Sequence, residues 1–200
     1  MGRESFKPGN MLYPLPVVLV TSGDINGKSN IFTVAWTGTI CSDPPYVSIS
    51  VRKSRYSYDL IKESGEFVIN LTTKDLVTAT DYCGVVSGRD VDKWEKMNLT
   101  KAASTVVKAP YIAESPVAIE CKVKEIKELG THDMFIAEVV AVTVDDKYMD
   151  ENKKFDFTKS NPLAYSHGEY FTLGVSDLER HGLTGNCCHI IVNHLFLFII

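Results

Sequence analysis

The stretch Val117-Ala118-Ile119-Glu120-Cys121-Lys122-Val123-Lys124 decides the fold. Val117, Ile119, Cys121 and Val123 alternate with Ala118, Glu120, Lys122 and Lys124, the two-residue period of a strand with one face in the core and the other in water. Glu128-Leu129-Gly130-Thr131 turns the chain, and residues 134–144 form a long β-prone run expected to pair antiparallel with it. Upstream, Asp24-Ile25-Asn26-Gly27 is a tight turn that joins 17–22 to 29–35 as a hairpin. After the breaker Asp43-Pro44-Pro45, residues 46–51 are nearly all apolar or small and predict a central strand. Ser57 is the expected N-cap of a short helix over 58–64 that stops at Gly65, and 66–71 returns as a strand. Residues 74–82 and 91–97 read as further short helices, and 145–159 as a polar connection. Many strands with few, short helices favour a mainly-β closed or split barrel over alternating β/α layers.

Two hundred residues suffice for one domain with a core that needs no disulfide or metal staple. A net charge of -4 argues against a nucleic-acid partner held by a basic surface. The five cysteines, Cys41, Cys83, Cys121, Cys187 and Cys188, include no CxxC, which points to a reducing cytoplasm rather than a disulfide framework or zinc knuckle. Cys41 and Cys83 are expected to be packing residues. The N-terminus lacks an apolar signal core, and the apolar run 190–200 is too short for a membrane helix and is interrupted by Asn193 and His194. A soluble protein with no membrane partner is expected. The histidines lack ligand spacing, so no metal is expected, and GxSxG, P-loop and GxGxxG signatures do not occur.

The chemistry concentrates in Ser50-Val51-Arg52-Lys53-Ser54-Arg55-Tyr56-Ser57, three cations and several hydroxyls between a strand end and a helix start. Free amides at a helix N-terminus and charge-assisted bonds from Arg and Lys suit a phosphate. The competing reading is a solvated basic loop. Without a dinucleotide fingerprint, a monophosphate ligand is the favoured occupant.

The order of further motifs carries a resemblance. Asn30-Ile31-Phe32-Thr33-Val34-Ala35-Trp36-Thr37-Gly38-Thr39, Asp43-Pro44-Pro45, Ser50-Val51-Arg52, Tyr56-Ser57, Glu66-Phe67-Val68-Ile69-Asn70-Leu71, Ser87-Gly88-Arg89-Asp90-Val91-Asp92-Lys93-Trp94 and Gly130-Thr131-His132 together resemble the flavin reductase-like, FMN-binding split-barrel family, and within it the flavoredoxin branch. The resemblance runs from about Pro14 to Leu173. It implies a Greek-key-like split β-barrel with a few short helices, a homodimer, and one FMN per subunit. By the same resemblance Arg52, Lys53, Arg55 and Ser57, with Ser50 in the same cluster, surround the phosphate. Asn30, Thr33, Trp36, Thr37 and Thr39 line the ribityl chain and isoalloxazine, and Ser87 and Lys93 close the site. Lys93 would stabilise negative charge on reduced flavin, against the alternative of a surface salt bridge. Trp36 is either a pocket wall or a core aromatic. His132 is placed at the reactive face, against the alternative of a turn histidine.

The function implied is an FMN-dependent oxidoreductase that takes electrons from NADH, NADPH or a redox protein and passes them to a second acceptor. A flavin-binding carrier without turnover and a pyridoxamine-phosphate-oxidase-like enzyme are the alternatives. Residues 1–174 are read as this domain. Residues 175–200 depart from the family pattern and are read as an atypical tail, either an extension packed on the barrel or a reading-frame artefact, and dispensable for flavin.

Overall fold

The computed structural model describes residues 2–173. The expected tail after Gly174 lies outside the described residues. The sheet is built from β1 (Val18–Gly23), β2 (Ser29–Val34), β3 (Thr37–Ser42), β4 (Pro45–Arg52), β5 (Glu66–Leu71), β6 (Val117–Glu128) and β7 (His132–Val144). These seven strands pair antiparallel in the order β2-β1-β5-β6-β7-β4-β3. The sheet curls so that the β2–β3 corner meets β4, where Ser50 N–H donates to the Trp36 carbonyl at 2.9 Å. A separate hairpin of β8 (Leu163–Ser166) and β9 (Glu169–Thr172) flanks this corner.

Helix α1 (Tyr56–Ser64) follows β4, and Gly65 ends it in the left-handed conformation at φ 69°, its N–H bonding the Ile61 carbonyl. The helix starts two residues earlier than expected. Arg55 occupies the N-cap, where its donor-only side chain makes no capping bond, and the Ser57 hydroxyl, already inside the helix, is bonded to Ser22 and Asn30 instead. The run 74–82 divides into a 3-10 turn at Lys74–Leu76 and α2 (Val77–Val85), and the helix expected over 91–97 is the single turn α3 (Lys93–Lys96).

The opening strand reading is right in its existence and pairing and wrong about its outer face. Val117 and Cys121 are buried, but so are Ala118 at 2% and Glu120 at 0% exposure. The segment 104–109 lies over this side of the sheet, where Val107 and Ala109 pack on Val68 and Ala118. Inside the barrel, Val20, Phe32, Ile49, Phe67 and Phe135 meet Ile61 of α1. Leu19 and Ile31, on the opposite face of the first hairpin, pack with Cys83 and Trp94 beneath α2 and α3. The hairpin is therefore buried on both faces, which a two-residue alternation alone does not reveal. The strand expected to be central, β4, is interior but second from the edge, because 37–42 forms a further edge strand.

Glu120 is the pin of the covering segment. Its carboxylate accepts from the Thr105 N–H and hydroxyl, both at 2.8 Å, and from the N–H groups of Val106 and Val107 at 2.7 and 3.1 Å. Burial acts to raise its pKa, but these four bonds outweigh burial and hold it below the ordinary value of 4.5. Glu120→Ala leaves buried N–H donors unpaired and is expected to cost about 3 kcal/mol or more in urea unfolding at pH 7. A depressed carboxylate pKa stabilises above the ordinary value, and this contribution is lost as pH falls through the lower folded value. The gap between wild type and Glu120→Ala should therefore narrow below pH 4.5, and a pH-independent gap would contradict the account.

Candidate functional site

At the β2–β3 corner the fold leaves a cleft of about 410 Å³. Its floor is Phe32, Thr33 and Val34, one rim is Ala35 and Trp36, and its cationic end is Arg52 and Arg55. His132, the first residue of β7, lies directly across the ladder from Arg52. Its ring packs on Trp36 with centroids 4.4 Å apart, and its Nδ1 is 3.0 Å from the Thr131 hydroxyl. Burial, followed by the positive charges of Arg52 and Arg55, lowers the His132 pKa. Trp36 is 39% exposed, so it is a cleft wall and not a core aromatic.

The two arginines are placed for an anion. Among the described residues neither guanidinium makes a side-chain hydrogen bond or ion pair. They flank the start of α1, whose N-terminus carries no side-chain cap. Free donors, a helix dipole and uncompensated positive charge thus converge at one end of the cleft.

Thr33, Trp36, Ser50, Arg52, Arg55 and His132, all expected at the site from the sequence, line this cleft. The others do not. Asn30 and Ser57 are buried beneath it, where Asn30 Nδ2 and the Ser22 hydroxyl each donate to Ser57 Oγ at 2.9 Å. Thr37 and Thr39 stand on the edge strand β3, beyond the cleft. The Lys53 amine lies 3.5 Å from carboxylate oxygens of both Asp133 and Glu128. Lys93 is buried at 3% exposure, and its amine donates to the carbonyls of Ile31 at 2.8 Å and Cys83 at 2.9 Å. It is neither a surface salt bridge nor a cation on the cleft wall. Burial brings its pKa down to about 8 and pushes the Cys83 thiol up to about 11. Cys41, by contrast, is half-exposed on β3 rather than packed.

Ser87 also misses the cleft, accepting from the Arg89 N–H at 3.2 Å. Its segment braces the helix start. A Cβ on Gly88 would come within 2.0 Å of Asn30 Oδ1 and 2.9 Å of the Tyr56 ring, so only glycine permits this approach. Arg89 donates to the Ser54 carbonyl at 3.0 Å and stacks 5.3 Å above the Tyr56 ring.

Two walls escaped the sequence reading. One is Asp81, Gly84 and Val85 of α2, held to β2 by the Thr33 hydroxyl donating to the Thr80 carbonyl. Gly84 admits Thr33, whose Cβ would lie 3.3 Å from a Cβ at position 84. The other is Tyr165, Gly168 and Tyr170 of the β8–β9 hairpin, with the Tyr170 hydroxyl donating to Asp81 Oδ1 at 3.3 Å. Burial, then Asp81, pushes the Tyr170 pKa up to about 12. The hairpin carried a usable signal: His167-Gly168 is a two-residue turn between β-prone runs, and both residues have positive φ, 51° and 88°.

A curled antiparallel sheet with an aromatic-walled cleft at its corner and two unpaired arginines at one end defines a mainly-β split barrel. Residues 10–174 match the model of the flavin reductase like domain, and the chain belongs to that family. Flavoredoxin of Desulfovibrio vulgaris (Miyazaki F) superposes with a TM-score of 0.84 at 32% identity, over 92% of this chain and 100% of that one. Flavoredoxin from Methanosarcina acetivorans gives 0.80 at 31%, over 92% and 98%. An uncharacterized protein of Archaeoglobus fulgidus is 35% identical over 166 residues, 83% of this chain and 92% of its own.

The His132 geometry is checkable by NMR titration. Because Arg55 lowers its pKa through charge, Arg55→Ala should move the His132 midpoint upward, toward its ordinary value of 6.5. An unmoved midpoint would show the two side chains to be electrically independent.

Proposed function

We propose that the protein is an FMN-dependent oxidoreductase that receives electrons from NADH, NADPH or a redox protein and delivers them to a second acceptor. The observation that carries this reading is the pair of unpaired guanidiniums, Arg52 and Arg55, at an uncapped helix start beside an aromatic-walled cleft. FMN fits that set of groups. Its phosphate would take charge-assisted bonds from Arg52 and Arg55, and its flat apolar ring system suits Trp36, Val85 and Tyr165. When bound, the flavin supplies acceptance of an electron pair and its release singly or together.

The residues of this chain would bind, orient and shield. Trp36 and His132 form one wall that keeps water off, and the lowered His132 pKa leaves its ring uncharged near pH 7. A neutral imidazole offers a hydrogen bond without adding a third positive charge to the cleft. Thr33 and Ser50 supply polar contacts along the floor. A second groove of about 530 Å³ joins the cleft at Asp81, Val85, Gly168 and Tyr170, and gives a second molecule its approach. A homodimer is part of the reading, supported by the exposed edge strand with Ile40 at 48% and the nearby Trp36 at 39%. So are a cytoplasmic setting and a flavin-binding domain of residues 1–174 with a dispensable tail. Similarity to flavoredoxins favours, as a second reading, a carrier reduced by another protein.

Titration of flavin-free protein tests the phosphate assignment. FMN should bind at least about tenfold tighter than riboflavin, the worth of one charge-assisted bond. Arg52→Ala with Arg55→Ala should abolish that preference, and equal affinities in the wild type would overturn the reading. Anaerobic mixing of the holoprotein with NADH or NADPH separates the two functions. Rapid bleaching supports the oxidoreductase. No bleaching, with prompt reduction by a ferredoxin, supports the carrier.

A further inference from the structure

One buried carboxylate beneath the cleft has no part in the reading above. Asp133 follows His132 on β7, opposite Val51, and is 1% exposed. Its Oδ2 accepts from the Tyr58 hydroxyl at 2.7 Å and lies 3.5 Å from the Lys53 amine. Its Oδ1 is buried and has no hydrogen-bond partner among the described residues. The bond to Asp133, then burial and nearby negative charge, push the Tyr58 pKa up to about 12, so the phenol remains the donor. Burying a carboxylate with one neutral hydrogen bond and one half-exposed cation is costly, and such a cost calls for a compensating role.

The positions of the two partners suggest that role. Lys53 is the first residue beyond β4, and Tyr58 is in the first turn of α1. A single carboxylate therefore grips both ends of segment 54–57, which contains Arg55 and the free N-terminal amides. Resting on the phosphate reading above, we propose that Asp133 is a positioning residue that clamps this segment through Lys53 and Tyr58, and that Lys53 serves the clamp rather than the phosphate. The cation expected from sequence to be a ligand is then a strut. Arg52 and Arg55 are left as the charged ligands, set at a fixed separation.

The two roles for Lys53 predict opposite signs. If Lys53 were a phosphate ligand restrained by Asp133, Asp133→Asn would release it and tighten FMN. If Asp133 works through Lys53, Asp133→Asn and Lys53→Met should each weaken FMN about tenfold. Riboflavin, which has no phosphate, should then change by less than about twofold, and the double variant should be no worse than the weaker single. Lys53→Arg should restore affinity. Tightening by Asp133→Asn, losses that multiply, or parallel loss of both flavins would each overturn the proposal, the last by showing a merely structural role. Tyr58→Phe cuts the helix arm alone and replaces Asp133→Asn if that variant does not fold. Amide hydrogen exchange on flavin-free full-length protein supplies an independent arm. Residues 54–57 should exchange faster in Lys53→Met and in Asp133→Asn to the same degree, and unchanged exchange would overturn the clamp. If the wild type showed no preference for FMN over riboflavin, the phosphate assignment would fall while the exchange arm still judged the clamp.

Discussion

The register between β4 and β7 is the constraint on which the rest of the site depends. It sets Arg52 opposite His132 and Val51 opposite Asp133. Because side chains alternate with a period of two, one pair faces the cleft and the next is buried under α1. A slip of β7 by one residue would put the Asp133 carboxylate among the cleft's cations and turn the His132 imidazole into the core. The interior of β4 and β7, with Ile49, Val51, Phe135 and Ala137 at 2% exposure or less, opposes such a slip through apolar burial. The core and the chemistry are thus specified by the same ladder. Cleft charge is a consequence of which face Phe135 must occupy.

What the sequence revealed follows from this division. Local signals located six of the seven strands of the main sheet, the first hairpin, the turn at Gly130 and the helix stop at Gly65, because each depends on residues adjacent in the chain, but not the edge strand over 37–42 or the hairpin over 163–172. The cationic end of the cleft was legible for the same reason, since Arg52 and Arg55 belong to one strand-to-helix junction. Coverage of a strand by a distant segment was not legible. Nothing near Glu120 in the chain shows that the amides of 105–107 will meet it, so a buried, satisfied carboxylate read as a wet one. The cleft walls from α2 and the β8–β9 hairpin were hidden in the same way, each being brought to the β2–β3 corner by tertiary packing.

The positions of the lysine amines were not legible for a different reason. A lysine's four-carbon stem allows its charge to land far from its Cα, so its position in a motif says little about where the amine sits. Lys53 turns back to a buried aspartate, and Lys93 threads inward to two carbonyls. The family resemblance identified both as residues of consequence. Lys93 joins the end of α2 to β2 and so ties a cleft wall to its floor.

In an acidic chain, three carboxylates at or near the strand-to-helix junction are paired with groups other than Arg52 and Arg55, while Asp81 on the cleft wall accepts from the Tyr170 hydroxyl. Glu128 pairs with Lys53, Asp59 lies 3.7 Å from Arg89, and Asp133 is held by Tyr58 and Lys53. The two exposed pairs among these, Lys53–Glu128 and Arg89–Asp59, add little to stability. Arg52 and Arg55, both exposed, make no side-chain hydrogen bond or ion pair among the described residues. With a net charge of -4 over the whole chain, this concentration of positive charge at one end of the cleft is a local exception to the global field, and it exists because the strand-to-helix junction brings Arg52 and Arg55 together.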